Sequence, residues 1–330
     1  MKDKNRETVC AVVVTYNRKN LLIECLEALR KQTWPIQAIY LIDNASTDGT
    51  PNLLLEKGYI KELPPKDLSE PWEKEFEIKN LTDGDAIKLY YVRMHENTGG
   101  AGGFHEGVKR GYEKGYDWLW LMDDDVGPDY ICLEKLFNGK QLCKGNIAAL
   151  MPVRFYINKL VNLESKKINL DDCMSPIWLD FYNDSDLKNV FFEIATIPFE
   201  GPLISSKAIY NIGLPNKDLF IFADDTDYSI RLNKVGKIYM VSNAKIYKKL
   251  LQTDTFFDWK TYYLLRNIIF LDRKYGKTLC VKYFRPILML FLFIKKYRKF
   301  FFNRKFVYLF LAFYHGYKMK LGKTINPGHF

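Results

Sequence analysis

The first 150 residues alternate short, almost wholly apolar runs with amphipathic stretches, and this alternation restricts the chain more than any other feature. "VCAVVVT" (9–15) is a Val-rich run of strand length. Residues 20–32 then place Leu21, Leu22, Cys25, Leu26 and Leu29 on one helical face. "AIYLID" (38–43) predicts a second strand, and "TPNLLLEK" opens a short helix. "IKLYYVR" (87–93) predicts a third strand, residues 103–114 a helix, and "DWLWLM" (117–122) a fourth strand. Strands alternating with helices predict a mostly parallel, doubly wound, Rossmann-like α/β sheet. Ligands of such sheets bind at the carboxyl ends of the strands. The charged, Pro-containing stretch 58–86 reads as a surface excursion, and residues 153–200 as antiparallel strands over the mouth of the sheet.

Length and composition set the class. At 330 residues, 48% apolar and 27% charged, the chain is globular, with room for one large domain or a domain plus an appendage. The net charge of +10 is not evenly spread. Residues 245–330 hold 19 Lys and Arg against 3 Asp, so the rest of the chain is mildly acidic. The opening "MKDKNRETVCAVVV" carries only a strand-length apolar run, and no amino-terminal signal peptide is expected. Cys10, Cys25, Cys132, Cys143, Cys173 and Cys280 show neither a CxxC pair nor metal-ligand spacing. They read as reduced thiols of a cytosolic protein.

Polar groups fall at the strand ends. Thr15-Tyr16-Asn17-Arg18 follows the first strand and Asp43-Asn44 the second. "IDNASTDGT" fits a capped βα turn, but it also presents Asp43 as an acceptor for the imide N–H of a uracil. "ENTGGAGGFHEG" packs four glycines into five positions before a helix, where backbone can approach a ligand closely. It lacks the third glycine of the dinucleotide fingerprint and the Lys-Ser/Thr of a P-loop. The fourth strand runs into Asp123, Asp124 and Asp125, three carboxylates that repel at this spacing. A solvated turn, a near-match to a phosphatase D-x-D-x-T/V, and a D-x-D pair holding a divalent cation on a diphosphate are the readings; the last supplies the missing positive charge. A second cluster, Asp224, Asp225 and Asp227, begins a helix in "LFIFADDTDYSIRLNKVG" and exceeds what capping needs. One of the three is a candidate general base, and Arg231 is the expected ion-pair partner of Asp227.

In order, "VVVTYNR", "IDNASTDGT", "NTGGAGGF", "LMDDDV" and "FADDTDYSIRL" resemble the family 2 glycosyltransferases of the GT-A fold. The resemblance spans residues 8–250 and leans toward bacterial galactofuranosyltransferases and related rhamnosyltransferases. It implies that Thr15, Arg18, Asp43, Asn97, Gly99 and Gly100 contact the nucleotide and sugar. Asp123 and Asp125 would hold Mn²⁺ or Mg²⁺, with Asp124 in the substrate site but outside the coordination. Asp225 would deprotonate the acceptor hydroxyl beside Asp224, and the reaction would invert the anomeric centre. Where this branch commonly carries a metal-ligating His, "NAKIYKKL" places Lys248. A protonated lysine is a poor ligand, so Lys248 is expected to contact the diphosphate and weaken metal dependence.

Beyond the 1–250 catalytic domain, residues 251–330 form a helical, basic, aromatic appendage. Residues 256–275 fit an amphipathic helix, while "PILMLFLFI" (286–294) and "FVYLFLAFY" (306–314) fall short of the roughly 20 residues that span a bilayer. With "KKYRKFFFNRK" between them, they suit an anionic membrane surface better than nucleic acid, whereas an oligomer interface stays open. The expectation is a peripheral enzyme on the cytoplasmic face of the membrane, carrying a sugar from UDP-galactofuranose to a polyprenyl-linked glycan of a cell-surface polysaccharide such as O-antigen or capsule. A dTDP-rhamnose enzyme, a sugar-nucleotide pyrophosphorylase and a non-catalytic sugar-nucleotide-binding protein are the alternatives; "TYNRKN" lacks the glycine of a pyrophosphorylase loop.

Overall fold

A computed structural model describes residues 6–250, 258–298 and 306–325. Residues 256–257 of the expected amphipathic helix and residues 299–305 of the basic stretch lie outside them. The amino-terminal half contains β1 (Val9–Thr15), α1 (Lys19–Arg30), β2 (Ala38–Asp43), α2 (Thr50–Glu56), β3 (Trp72–Lys79), β4 (Ala86–Arg93), α3 (Gly99–Glu113), β5 (Trp118–Asp123), β6 (Val126–Pro128) and α4 (Cys132–Leu142). There follow β7 (Ile147–Tyr156), β8 (Lys159–Leu160), β9 (Ser165–Ile168), β10 (Trp178–Phe181), β11 (Phe191–Ile194), β12 (Leu203–Ser205), α5 (Ser206–Ile212), α6 (Asp224–Leu232) and β13 (Lys237–Lys248). Helices α7 (Trp259–Tyr275), α8 (Arg285–Tyr297) and α9 (Val307–Tyr317) end the chain.

The main sheet runs β11-β13-β7-β12-β5-β1-β2-β4-β3, with β6 paired to β13 and β8 to β7. Its centre, β5-β1-β2-β4, is parallel. Both faces are covered, which is why the strand sequences are continuously apolar. Along β1, Val9, Ala11 and Val13 pack with Leu22, Leu26 and Leu29 of α1, while Cys10, Val12 and Val14 pack with Phe104 and Val108 of α3.

Three expectations need correction. The 58–86 stretch is not all surface excursion: "WEKEFEIK" pairs antiparallel with β4 as an edge strand, burying Phe76 and Ile78. Its short alternation was masked by the charges on its outer face. The glycine run is not a free loop before a helix at 103, because α3 already begins at Gly99. A Cβ on Gly103 would lie 2.5 Å from Val14, and one on Gly107 2.3 Å from Val12, so glycine lets α3 sit directly on β1. Cys173 and Cys280 are not reduced thiols but a disulfide, joining chain segments 107 residues apart. Such a pairing has no local spacing signature. Helix α9 buries Leu309, Ala312, His315 and Gly316, largely against α7. Among the described residues, no helix is long and apolar enough to cross a membrane.

Gly107→Ala should lower the urea midpoint by an amount equivalent to about 1–3 kcal/mol, the usual cost of overpacking. Gly84→Ala, which meets no neighbouring atom but has φ +77°, separates the packing cost from the backbone one.

Candidate active site

Strand register brings the polar ends together. Thr15 of β1 lies opposite Asp43 of β2, Asp43 opposite Arg93 of β4, and Asp123 of β5 opposite Val14. Antiparallel pairing of β6 with β13 sets Lys248 opposite Val126, and the Lys249 amide donates to the Asp125 carbonyl at 2.8 Å. A residue distant in sequence is thereby fixed beside the Asp triplet.

The three aspartates have different surroundings. Asp124 turns toward the end of β1, accepting from Thr15 Oγ1 at 2.6 Å and from Arg18 Nη1 at 3.1 Å. Burial raises its carboxyl to about 6, against the lowering effect of Thr15 and Arg18. Asp125 lies 3.5 Å from Arg18 Nη1 through Oδ2, while its buried Oδ1 has no hydrogen-bond partner among the described residues. Burial, then the charges of Asp125 and Glu200, push Asp123 well above the ordinary carboxylate range, with Lys248 opposing.

Glu200 was not singled out from sequence, because it sits in the weakly patterned middle region. It pairs with both Lys248 and the buried Arg154, and Arg154 also binds Glu164 at 2.8 Å. Burial pushes the Glu200 carboxyl up, but Arg154 and Lys248 outweigh burial and hold it below its ordinary value. The Lys248 ammonium therefore sits next to the triplet and is engaged by Glu200.

The second cluster is presented by strained backbone. Phe220, Phe222 and Ala223 have φ of +65°, +64° and +61°, a region costly for residues with a Cβ. Asn267 of α7 stabilises it, donating from Nδ2 to the carbonyls of Leu219, Ile221 and Phe222 at 3.0, 2.9 and 2.8 Å. Arg266 Nη2 adds a bond to the Leu219 carbonyl at 2.9 Å. Asp225 Oδ1 accepts from the Thr226 amide and hydroxyl at 2.5 and 3.2 Å, leaving Oδ2 without a hydrogen-bond partner among the described residues. Burial raises Asp225 to about 6. Burial and then the charge of Asp225 raise Asp224 further, to about 8. Asp227 is absorbed elsewhere, by Arg231 at 2.7 Å as expected, by Lys274 at 3.1 Å and by the Tyr275 hydroxyl at 2.7 Å.

These groups share a cavity of about 640 Å³, lined among others by Thr15, Arg18, Asn97, Gly99, Gly100, Asp123, Asp124, Asp224 and Asp225. Asp43, Asp125 and Lys248 are not part of its lining. Asp43 is fully buried and already accepts from the Ser46 amide at 2.9 Å, the Tyr91 hydroxyl at 2.8 Å and Arg93 at 2.6 Å. Its neighbour Asn44 does line the cavity, joining β2 to the glycine turn through the Gly99 carbonyl at 2.9 Å and the Thr98 amide at 3.0 Å. Gly99 has φ +73°, and a Cβ there would lie 2.0 Å from the Phe220 carbonyl oxygen, so the glycine turn and the strained segment pack against each other. Trp259, Lys260 and Lys323 complete one wall from the carboxyl-terminal region.

The donor set bears on a metal. Among the described residues no group of three or more His, Cys, Asp and Glu is arranged to hold one. Asp123 and the unpartnered Asp125 Oδ1 nevertheless suit a hard cation that takes its other ligands from phosphate and water, as Mg²⁺ characteristically does.

The model of the family described as Glycosyl transferase family 2 matches residues 10–62. The chain is 25% identical over 265 residues to galactofuranosyltransferase GlfT1 of Mycolicibacterium smegmatis, covering 76% of this chain and 73% of that protein. It is 26% identical over 236 residues to GlfT1 of Mycobacterium tuberculosis, covering 70% and 66%. Similar solved structures include GalNAc-T7 with UDP, GalNAc and Mn²⁺ (14% identity, TM-score 0.56, 92% of this chain and 59% of that one). Another is the mannosyltransferase PcManGT from Pyrobaculum calidifontis with GDP-Man and Mn²⁺ (16% identity, TM-score 0.53, 94% and 74%). The fold is that of the GT-A glycosyltransferases, and residues 10–62 are similar to Glycosyl transferase family 2. Within that class the chain is similar to the galactofuranosyltransferases GlfT1 over most of its length.

Asn267→Ala should cost about 2–3 kcal/mol, because one buried and two part-buried carbonyls of a strained segment lose their donor. Thermal unfolding would read this loss, and limited proteolysis should show first cleavage near 219–223.

Proposed function

We propose that this chain is an inverting glycosyltransferase that moves galactofuranose from UDP-galactofuranose to a lipid-linked glycan. One observation carries the reading: two carboxylate clusters of unlike state border the same crevice. Asp123 lines it under-compensated, and Asp125, outside the lining, keeps a buried Oδ1 without a hydrogen-bond partner among the described residues, a pair suited to a cation-bound diphosphate. Asp225 offers a raised, ionised carboxylate with one oxygen free. The galactofuranosyl donor rests on similarity to GlfT1.

The donor nucleotide lies against Thr15, Arg18, Asn44, Asn97 and the glycine turn, and its diphosphate near Asp123 and Asp125. Asp43, held by Tyr91 and Arg93, reads the uracil only if one of those donors yields. A divalent cation held by Asp123 and Asp125 would act as a Lewis acid toward the departing diphosphate. Asp225 Oδ2 takes the proton from the acceptor hydroxyl. The resulting oxygen nucleophile forms the new bond to the anomeric carbon from the face opposite UDP, and UDP leaves with the electron pair of the broken bond. One base and one leaving-group site are sufficient, with no covalent sugar–enzyme intermediate. Lys248 stands beside the triplet as a fixed ammonium, which supports a weakened requirement for metal.

The apolar face of α8 supports attachment to an anionic membrane. Ile287, Phe291 and Leu292 are exposed there, and Lys295 and Lys296 stand in the last turn.

Asp225→Asn should retain UDP-sugar binding by calorimetry while transfer falls at least about 10³-fold; transfer at the wild-type rate would refute the base. Because burial raises Asp225 and the reaction needs it ionised, kcat should be level above pH 7 and fall with unit slope as pH drops through about 6. A donor panel of UDP-galactofuranose, UDP-galactopyranose, UDP-glucose and dTDP-rhamnose tests the sugar, and exclusive use of dTDP-rhamnose would overturn it. Replacing Ile287, Phe291 and Leu292 together by Glu should abolish flotation with anionic liposomes without loss of fold, since all three are exposed.

A further inference from the structure

Trp178 is not part of the cavity lining, yet a chain of hydrogen bonds joins it to Asp225. Its indole Nε1–H donates to the Thr226 hydroxyl at 3.3 Å, and that hydroxyl donates to Asp225 Oδ1 at 3.2 Å. Chemistry fixes the polarity of the chain. An indole can only donate, so the Thr226 oxygen accepts from it and its single proton is left for the carboxylate. The Thr226 amide donates to the same Oδ1 at 2.5 Å. Two donors aimed at Oδ1 keep a proton off it, and Oδ2 is the oxygen that remains basic.

Packing outside the cavity sets the members of this chain. Thr226 is buried in the first turn of α6. Trp178 opens β10, opposite Ile168 of β9, in the small two-stranded sheet. The preceding Ile177 is buried in one cluster with Ala223 and Ile230. The Asn169 amide donates to the Ile177 carbonyl at 2.8 Å, and Asn169 Nδ2 to the Pro176 carbonyl at 3.1 Å. Arg285 of α8 in turn donates to the Asn169 carbonyl at 3.0 Å. A threonine within a helix commonly turns its hydroxyl back to the carbonyl four residues earlier. Here the hydroxyl bridges an indole and a carboxylate. A carbonyl would satisfy the indole equally well, whereas a hydroxyl passes the polarity on to Asp225.

We propose that Trp178 and Thr226 are positioning residues for the base, holding Asp225 Oδ1 as an acceptor so that Oδ2 takes the proton of the attacking hydroxyl. The proposal rests on the glycosyltransfer reading above and names what orients its base. The charged groups that act on Asp225 are Asp224 of its own helix, Glu200 ahead of β12 and Arg154 of β7. The substitutions below leave all three in place.

The test reads the carboxyl itself. The full chain, labelled with ¹³C at the aspartate carboxyl carbons, is titrated by NMR, and the Asp225 signal is assigned by its absence from D225N. Losing a donor to the charged form raises a carboxyl. T226V keeps the shape and the amide but lacks the hydroxyl, and should raise the Asp225 midpoint from about 6 by about one pH unit. T226S should titrate as wild type. W178F keeps an aromatic ring but lacks Nε1–H, and should raise the midpoint by about half a unit. If T226V does not fold, W178F carries the test alone, since Trp178 is only half-buried. A midpoint unmoved in W178F, or moved as far by T226S as by T226V, would overturn the proposal. So would a loss of UDP affinity by calorimetry in W178F, which would make Trp178 a donor-binding residue instead. Hydrolysis of UDP-galactofuranose across pH, measured in parallel, reports separately on the base. If its acid limb stays fixed while the NMR midpoint moves, the base reading fails and the orientation of Asp225 stands.

Discussion

The clustering of carboxylates in one crevice is the constraint around which the rest of this structure is organised. Like charges at strand ends repel, and burial makes each of them costlier to ionise. Here the counter-charges are distributed unevenly. Arg18 neutralises Asp124, and Arg154 with Lys248 outweighs the burial of Glu200, while Asp123 and Asp125 are left under-compensated. The unevenness turns a repulsive cluster into a site with a direction. One part is satisfied within the protein, and another is left short of counter-charge. Asp224 and Asp225 repeat the principle, since burial raises both carboxyls and the charge of Asp225 raises Asp224 further.

The carboxyl-terminal helices belong to this site as much as the sheet does. The segment ahead of Asp224 adopts backbone angles that L-residues disfavour, and it persists because α7 over-determines it through Asn267 and Arg266. Arg266 in turn donates to the Gly322 carbonyl and to Thr324, and the Gly322 amide donates to the Asp218 carbonyl. Arg285 pairs with Asp272 and also donates to the Asn169 carbonyl, and the Cys173–Cys280 disulfide joins the same two regions. A boundary drawn at residue 250 therefore divides the chain by composition but cuts through the supports of the site.

Much of the sheet was legible because burial on both faces leaves a direct trace in sequence: "VCAVVVT", "AIYLID" and "WLWLM" cannot be placed anywhere but a covered sheet. The polar residues at their ends were legible for the same reason, since they interrupt runs that are otherwise wholly apolar. The glycines of 99–107 were visible but their use was not. Gly103 and Gly107 serve helix-to-strand contact, and only the packed structure identifies Val14 and Val12 as what they approach.

By itself the sequence determined the alternating α/β class, the order of the carboxylate motifs and the charge asymmetry of the tail, all properties of neighbouring residues or of period. Tertiary structure decided which carboxylates are neutralised and which are not, because partners such as Arg154, Glu200 and Lys248 come together only through strand pairing across long loops. It enclosed Asp43 behind Tyr91 and Arg93 and placed Asn267 under a strained segment. Electrostatic state depends on distance through space rather than along the chain, and the fold is what sets those distances.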